Sequence, residues 1–342
     1  MEGVERLSFN WHRRRVLVTG CTGLMGSWLT ERLVNEGADV VGLVRDTVPS
    51  SNFYRLGLHE KVVQVRGDLV DYDVLERVLS DYEIEAVFHL AAQTIVPIAN
   101  RTPLPTFESN IKGTWNLLEA ARRIGHVQRM VFSSSDKAYG THAKLPYDET
   151  AALLACHPYD VSKACGDMLA VTYHRTYGLP VAISRCANLF GGGDLNFNRI
   201  VPGTIRSAVL GERPVIRSDG TPVRDYIYAK DAADGLVTLC AALDRRELHG
   251  EAFNFSSHHR RSVLEITRDV LVACEATHLE PDVRNEASGE IPAQYLSSDK
   301  ARTMLDWKSH WTLADGMRET VHWYRLWLAE QASGAPAGVA KR

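Results

Sequence analysis

Tyr159 and Lys163, in the run YDVSK, stand four residues apart, so a helix would project both side chains from one face. A phenol with an ordinary pKa of about 10 is a poor base at neutral pH, and lowering it by about three units takes roughly 4 kcal/mol of differential stabilisation. An ammonium one helical turn away supplies positive charge for that purpose. A phenolate formed there can take the proton of an alcohol. The hydroxyl-rich run SSSDK, Ser133 to Lys137, ends an apolar segment about one crossover earlier. A hydroxyl of that run can hold the alcohol oxygen while carbon gives hydride to a nicotinamide. Asp136 and Lys137 add a carboxylate and an ammonium beside it. The bland readings are a surface tyrosine and lysine, and an exposed Asp-Lys turn.

A nicotinamide needs a dinucleotide site, and VLVTGCTGLMGSWL has the chemistry for one. Gly20, Gly23 and Gly26 follow a strand-like run and enter a helix, with Leu24 and Met25 on its first turn. The spacing is GxxGxxG: no Cβ blocks a pyrophosphate, and the helix N-terminus faces its charge. About twenty residues on, where a ribose-binding acid belongs, the next strand ends in LVRDT. Asp46 would accept from a ribose 2′-hydroxyl and repel a 2′-phosphate, whereas Arg45 would hold that phosphate. The expectation is NAD, with NADP left open. Asp68 and Leu69 in RGDL, and Ala91 and Ala92 in HLAAQ, fall at the next strand ends, where adenosine and the second phosphate approach. A strand-terminal Asp also serves simply as a helix cap.

Positioning these residues requires a parallel sheet. RVLVTG, ADVVGLV, KVVQVRGD, AVFHLAA, RMVFSSS and PVAISR read as strands with helical patterns between most of them, which indicates an α/β Rossmann-type doubly wound parallel sheet. Residues 1–187 are assigned to this dinucleotide-binding domain, with a return segment at about 225–256. Glycines and prolines become frequent from Asn188, so 188–224 and 257–331 are expected to form a smaller C-terminal α/β substrate-binding cap, and 332–342 a disordered tail. Trp323 and Trp327 share a helix face and read as packing.

At 342 residues, with a formal net charge of −3, the chain has core enough for a globular protein and no general pull toward nucleic acid. The six scattered cysteines suit neither a disulfide scaffold nor a zinc site, and adjacent His258 and His259 have no ligand companions at metal spacing, so no metal is assigned. The start, MEGVERLSFNWHRRR, lacks a signal-peptide apolar region, and no run is long enough to cross a bilayer; a cytoplasmic protein is expected.

Through TGxxGxxG, the serine-rich strand end and YDVSK, the chain resembles the extended short-chain dehydrogenase/reductase family, the NDP-sugar epimerases and dehydratases. The nearest likeness is to CDP-glucose 4,6-dehydratases, through TGCTGLMGSWL, FHLAAQ, SDK and GGGDLNFNRIVP. The chain departs from that subgroup after Tyr139, where GTHAKLPYDE lacks a longer insertion, and at RDYIY. The resemblance implies that Ser135, Tyr159 and Lys163 act together on a sugar C4 hydroxyl. It implies loss of water across C5 and C6, with Asp136 as acid for the departing hydroxide. Lys137 is either the C5 base, a partner of Asp136, or an ammonium that stabilises an enolate. Asn188 matches an asparagine near the sugar diphosphate and Arg224 an arginine beside the phosphates, a task suited to the guanidinium fork. Arg199 is a second such candidate or a structural ion pair. A homodimer through the GTWNLLEAARRIG and KACGDMLAVTYHRTYG helices is expected. The alternatives are an NDP-sugar 4-epimerase, which needs no elimination acid, and a non-catalytic NAD(P)-sensing module.

Overall fold

The computed structural model describes residues 9–287 and 291–333. β1 (Arg15–Thr19), β2 (Asp39–Val44), β3 (Val63–Arg66), β4 (Ala86–His89), β5 (Arg129–Ser133) and β6 (Val181–Cys186) correspond to the six apolar runs. With β10 (Ala252–Phe255) they make a seven-stranded sheet in the order β10-β6-β5-β4-β1-β2-β3, every neighbouring pair parallel. Strands buried on both faces need continuous apolar runs, which β1, β4 and β5 have. The order reverses between β1 and β4, so a crevice opens there at the carboxyl ends of the strands.

One face of the sheet is covered by the helices Leu24–Asn35 and Ala229–Ala241, through Trp28, Leu29, Leu33, Leu236 and Leu239. The helices Tyr72–Asp81, Gly113–Ile124 and Pro158–Tyr177 cover the other. Their ends are encoded locally. Asp71 caps the first by accepting from the Val74 amide at 3.3 Å, and Pro158 opens the third, where a missing amide proton costs nothing. Gly125 and Gly178 end the second and third with φ of 76° and 72°. A π-helical turn, Glu108–Lys112, precedes Gly113 and carries Asn110.

A second, four-stranded sheet lies over the carboxyl end of the first. Its centre is β9 (Val223–Tyr228), flanked on one side by antiparallel β11 (His259–Ser262) and on the other by parallel β7 (Asn188–Phe190) and β13 (Ala293–Gln294). β8 (Val215–Ile216) and β12 (Asp282–Val283) form a separate parallel pair. The helices Ile200–Val209, Val263–Ala273 and Leu313–Ser333 pack with this sheet around Phe190, Ile205, Tyr226, Val270 and Tyr324. β9 belongs to this second sheet, and the chain re-enters the main one through Ala229–Ala241 and β10. The last helix is tied back by the Trp323 indole, which donates to Asn52 Oδ1 at 3.0 Å. Trp323 and Trp327 stack with ring centres 6.2 Å apart. Ala332 and Ser333 lie in that helix; the rest of the expected tail lies outside the described residues. No helix among the described residues is long and apolar enough to cross a membrane, and all six cysteines are free thiols.

Candidate active site

A cleft of about 840 Å³ runs from the glycine turn to the second sheet. It is lined by Gly20, Gly23, Leu24, Met25, Gly26, Arg45, Asp46, Asp68, Leu69, Ala91 and Ala92 at one end. Ser135, Asp136, Lys137, Tyr159 and Lys163 also line it, with Asn188, Arg199 and Arg224 from the second sheet and its helices. Every sequence-predicted site residue therefore borders one space.

The glycine turn has no room for side chains. Gly20 has a φ of 75°, and a Cβ there would lie 2.7 Å from the Ala91 nitrogen; a Cβ on Gly26 would lie 2.0 Å from the Gly20 carbonyl oxygen. Gly23 caps the helix Leu24–Asn35 without a side-chain bond, and no acid sits in its first turn. An uncapped, uncompensated N-terminus beside backbone-only walls suits a pyrophosphate. Arg45 and Asp46 pair with each other at 2.7 Å on the exposed rim. Asp68 Oδ1 accepts from the Val70 amide at 3.2 Å, while Asp71, not Asp68, caps the following helix.

From this turn a chain of buried hydrogen bonds reaches the helix of Tyr159. The Ala91 amide donates to Thr19 Oγ1 at 3.2 Å, and Thr19 Oγ1 meets His89 Nδ1 at 2.8 Å. His89 Nε2 meets Thr114 Oγ1 at 3.0 Å, and Thr114 donates to the Asn110 carbonyl at 2.6 Å. Because the Thr114 proton is committed to that carbonyl, the imidazole carries its proton on Nε2 and accepts at Nδ1. Burial, with Lys163 nearby, pushes His89 down to about 3, so it stays neutral. Asn110 Nδ2 donates onward to Ser162 Oγ at 2.9 Å, whose hydroxyl donates to the Tyr159 carbonyl at 2.7 Å.

Lys163 Nζ donates to the Ser133 carbonyl at 2.7 Å and lies over the Phe132 ring, 5.3 Å from its centre. Burial lowers its pKa to about 8. The Tyr159 phenol is pushed up to about 12, chiefly by desolvation; Arg199 and the Ser135 hydroxyl beside it pull it down, and Asp136 and Asp160 push it up. The sequence argument expected Lys163 to be the acidifying cation. In the structure Arg199 adds a second positive charge that favours the phenolate, while Lys163 keeps its ammonium hydrogen-bonded to the Ser133 carbonyl one helical turn from Tyr159. The phenol is therefore protonated at neutral pH. An oxidised nicotinamide, if bound beside it, would supply positive charge that favours the phenolate.

Asp136 is buried, 2% exposed. Ser135 Oγ donates to its Oδ1 at 3.2 Å, and Lys137 Nζ stands 3.4 Å from its Oδ2. Lys137 also donates to Gln294 Oε1. Arg199 pairs with Asp194 at 3.1 Å, and Arg224 donates to the Val223 and Ile291 carbonyls at 2.9 and 2.7 Å. Asn188 Nδ2 donates to the Asp225 carbonyl at 3.3 Å.

Arg217 in the cleft, and Asp160, Gln294 and Asp225 behind its walls, escaped the sequence reading. Arg217 lines the cleft and donates to Asn198 at 3.0 Å. Asp160, next to Tyr159 in YDVSK, is pushed up to about 6 by burial, with Lys137 and His157 opposing and Asp136 adding. Its adjacency to Tyr159 was the available signal. Gln294 and Asp225 had none. Among the described residues no group of three or more His, Cys, Asp or Glu is placed to hold a metal; His258 Nε2 meets Ser298 Oγ at 2.9 Å instead.

Known proteins are similar to this chain in sequence and in fold. The CDP-glucose 4,6-dehydratase of Salmonella typhimurium is 29% identical over 93% of this chain and 92% of its own length. The UDP-glucose 4-epimerase of Mycolicibacterium smegmatis is 31% identical, covering 91% and 98%. A solved dTDP-glucose 4,6-dehydratase of Streptomyces venezuelae, with NAD bound, superposes with a TM-score of 0.82 at 27% identity over 91% of this chain and 97% of that one. Residues 17–320 match the family described as GDP-mannose 4,6 dehydratase. With the Rossmann-type sheet, the glycine turn and the serine, tyrosine and lysine gathered in one cleft, the chain belongs to the GDP-mannose 4,6 dehydratase family.

Proposed function

We propose that the protein is an NDP-hexose 4,6-dehydratase, converting CDP-glucose or a related sugar nucleotide to the 4-keto-6-deoxy sugar nucleotide with internally recycled NAD. The observation that carries this reading is the buried Asp136 carboxyl, bonded by Ser135 and Lys137 beside Tyr159. A 4-epimerase needs the same oxidation but no acid at that place.

NAD, when bound, accepts hydride from the sugar C4 and returns it to C6. Gly20, Gly23, Gly26, Leu24 and Met25 would hold its pyrophosphate; Arg45, Asp46, Asp68, Leu69, Ala91 and Ala92 would border the adenosine end. The NAD-bound relative supports this choice. The exposed Arg45 and Asp46 neutralise each other, so neither charge is left to demand or refuse a 2′-phosphate outright.

The protein's own residues would then act in order. Ser135 holds the C4 oxygen while Tyr159, once ionised to the phenolate, takes its proton. The new carbonyl acidifies the proton at C5. Asp136 gives a proton to the departing C6 hydroxyl, and Lys137 faces the C5 side as base or as the counter-charge of the enolate. Arg199, Arg224 and Asn188 lie where they would meet the diphosphate, with Arg217 as a further donor. Residues 188–224 and 257–331 serve as the substrate cap in this reading, although β9 joins the cap sheet at Val223. We further infer a homodimer: Trp115 and Met168, 43% and 54% exposed, lie on the two helices named for that contact.

The epimerase is the second reading, because an epimerase is among the similar proteins. Asp136→Asn separates the two. A dehydratase so altered stalls after oxidation, with a 4-ketohexose and reduced nicotinamide; an unimpaired C4 epimerisation would reject dehydration.

A further inference from the structure

Gln294 ends β13, a strand of the second sheet, and its side chain is fully buried. Its amide reaches across to the acid run. Nε2 donates to the Asp136 main-chain carbonyl at 3.0 Å, and Oε1 accepts from Lys137 Nζ. Donation to a carbonyl fixes which end of the amide faces the lysine, namely the acceptor. Lys137 Nζ is thereby held between Gln294 and Asp136 Oδ2, the latter at 3.4 Å.

A lysine side chain carries about 2 kcal/mol of rotamer entropy, and one long ion pair does not fix its tip. A second acceptor on the opposite side does. A leucine would fill this slot without the cost of burying an amide, so packing alone does not account for a glutamine bonded at both ends. The register adds a link: Gln294 pairs with Arg224 across β13 and β9, so the strand bearing the cap arginine carries the clamp on the acid.

On the dehydratase reading, we propose that Gln294 is a positioning residue for elimination, holding Lys137 Nζ beside the Asp136 carboxyl so that both address the C5–C6 bond. It acts through those two side chains. Oxidation at C4, which belongs to Ser135 and Tyr159, does not need it.

The test compares wild type, Gln294→Leu and Gln294→Glu on whichever CDP-, dTDP-, UDP- or GDP-hexose the wild type turns over, reading nicotinamide reduction, deuterium entry at C5 from heavy water, and 6-deoxy product. For Gln294→Leu, KM and the rate of nicotinamide reduction stay within about twofold, while C5 exchange and product formation fall about 100-fold, the scale of an ångström of misplacement. Gln294→Glu keeps an acceptor toward Lys137 and recovers about tenfold of that loss. If the leucine variant does not fold, the nearly isosteric glutamate variant decides, with the same separation of oxidation from elimination in smaller measure. Wild-type elimination in the variants, or equal loss of both steps, overturns the proposal. A wild type that releases only a C4 epimer overturns the dehydratase reading instead.

Discussion

Lys163 Nζ donates to the Ser133 carbonyl oxygen at 2.7 Å, which ties the helix carrying Tyr159 to the strand that leads into Ser135. The ammonium is thus a spacer as well as a charge. It sets how far the phenol stands from the serine hydroxyl.

Lys163→Met removes that tie, and two effects on stability oppose. An unpaired buried carbonyl costs about 1–3 kcal/mol, while removing an ammonium whose pKa burial has lowered to about 8 relieves a desolvation cost of similar size. The urea midpoint should move little, and turnover should fall by at least about 100-fold. A large drop in the midpoint with activity retained would show that the lysine is structural only.

Gly26→Ala directs a methyl group at the Gly20 carbonyl oxygen, 2.0 Å away. Backbone on both sides leaves only displacement of the turn, at a cost of about 1–3 kcal/mol. NAD affinity by calorimetry should fall at least about tenfold, since the displaced turn is the expected pyrophosphate wall. Unchanged affinity would remove the glycine turn from the cofactor site.

Asp225 is wholly buried on β9, accepting from Ser256 Oγ and from the Leu296 amide at 3.4 Å, with Oδ1 unpaired. Burial raises its pKa from 3.8 to about 6; Ser256 and Leu296 oppose, Asp136 adds, and Arg260 opposes. Between those values the folded state keeps a proton that the unfolded state releases, so stability falls as pH rises through the window and levels off above about 6. The span amounts to about 3 kcal/mol. Asp225→Asn should flatten that fall in denaturant titrations at pH 4 and 6; the full wild-type slope in the variant would assign it to other groups.

Much of the framework is legible in the chain because it is encoded locally. The strands β1 to β6 are contiguous apolar runs, the glycine turn is seven residues of spacing, and Asp71, Pro158, Gly125 and Gly178 mark helix ends within a residue or two. Tyr159 and Lys163 are brought together by one helical turn. Gln294 and Asp225 are placed by strand pairing between distant segments, and no local pattern marks such a residue. The electrostatics of Tyr159 were hidden for another reason. Desolvation and the approach of Arg199 depend on how the segment around Arg199 folds against the cleft, whereas spacing along a helix reports only proximity to Lys163.

The most direct test is mass analysis of the product formed when protein as isolated, without added cofactor, is incubated with CDP-, dTDP-, UDP- and GDP-hexoses. The account predicts that one of them yields a sugar nucleotide lighter by one water, with a 4-keto group and a C6 methyl. A product of unchanged mass that differs only in the configuration at C4 would contradict it.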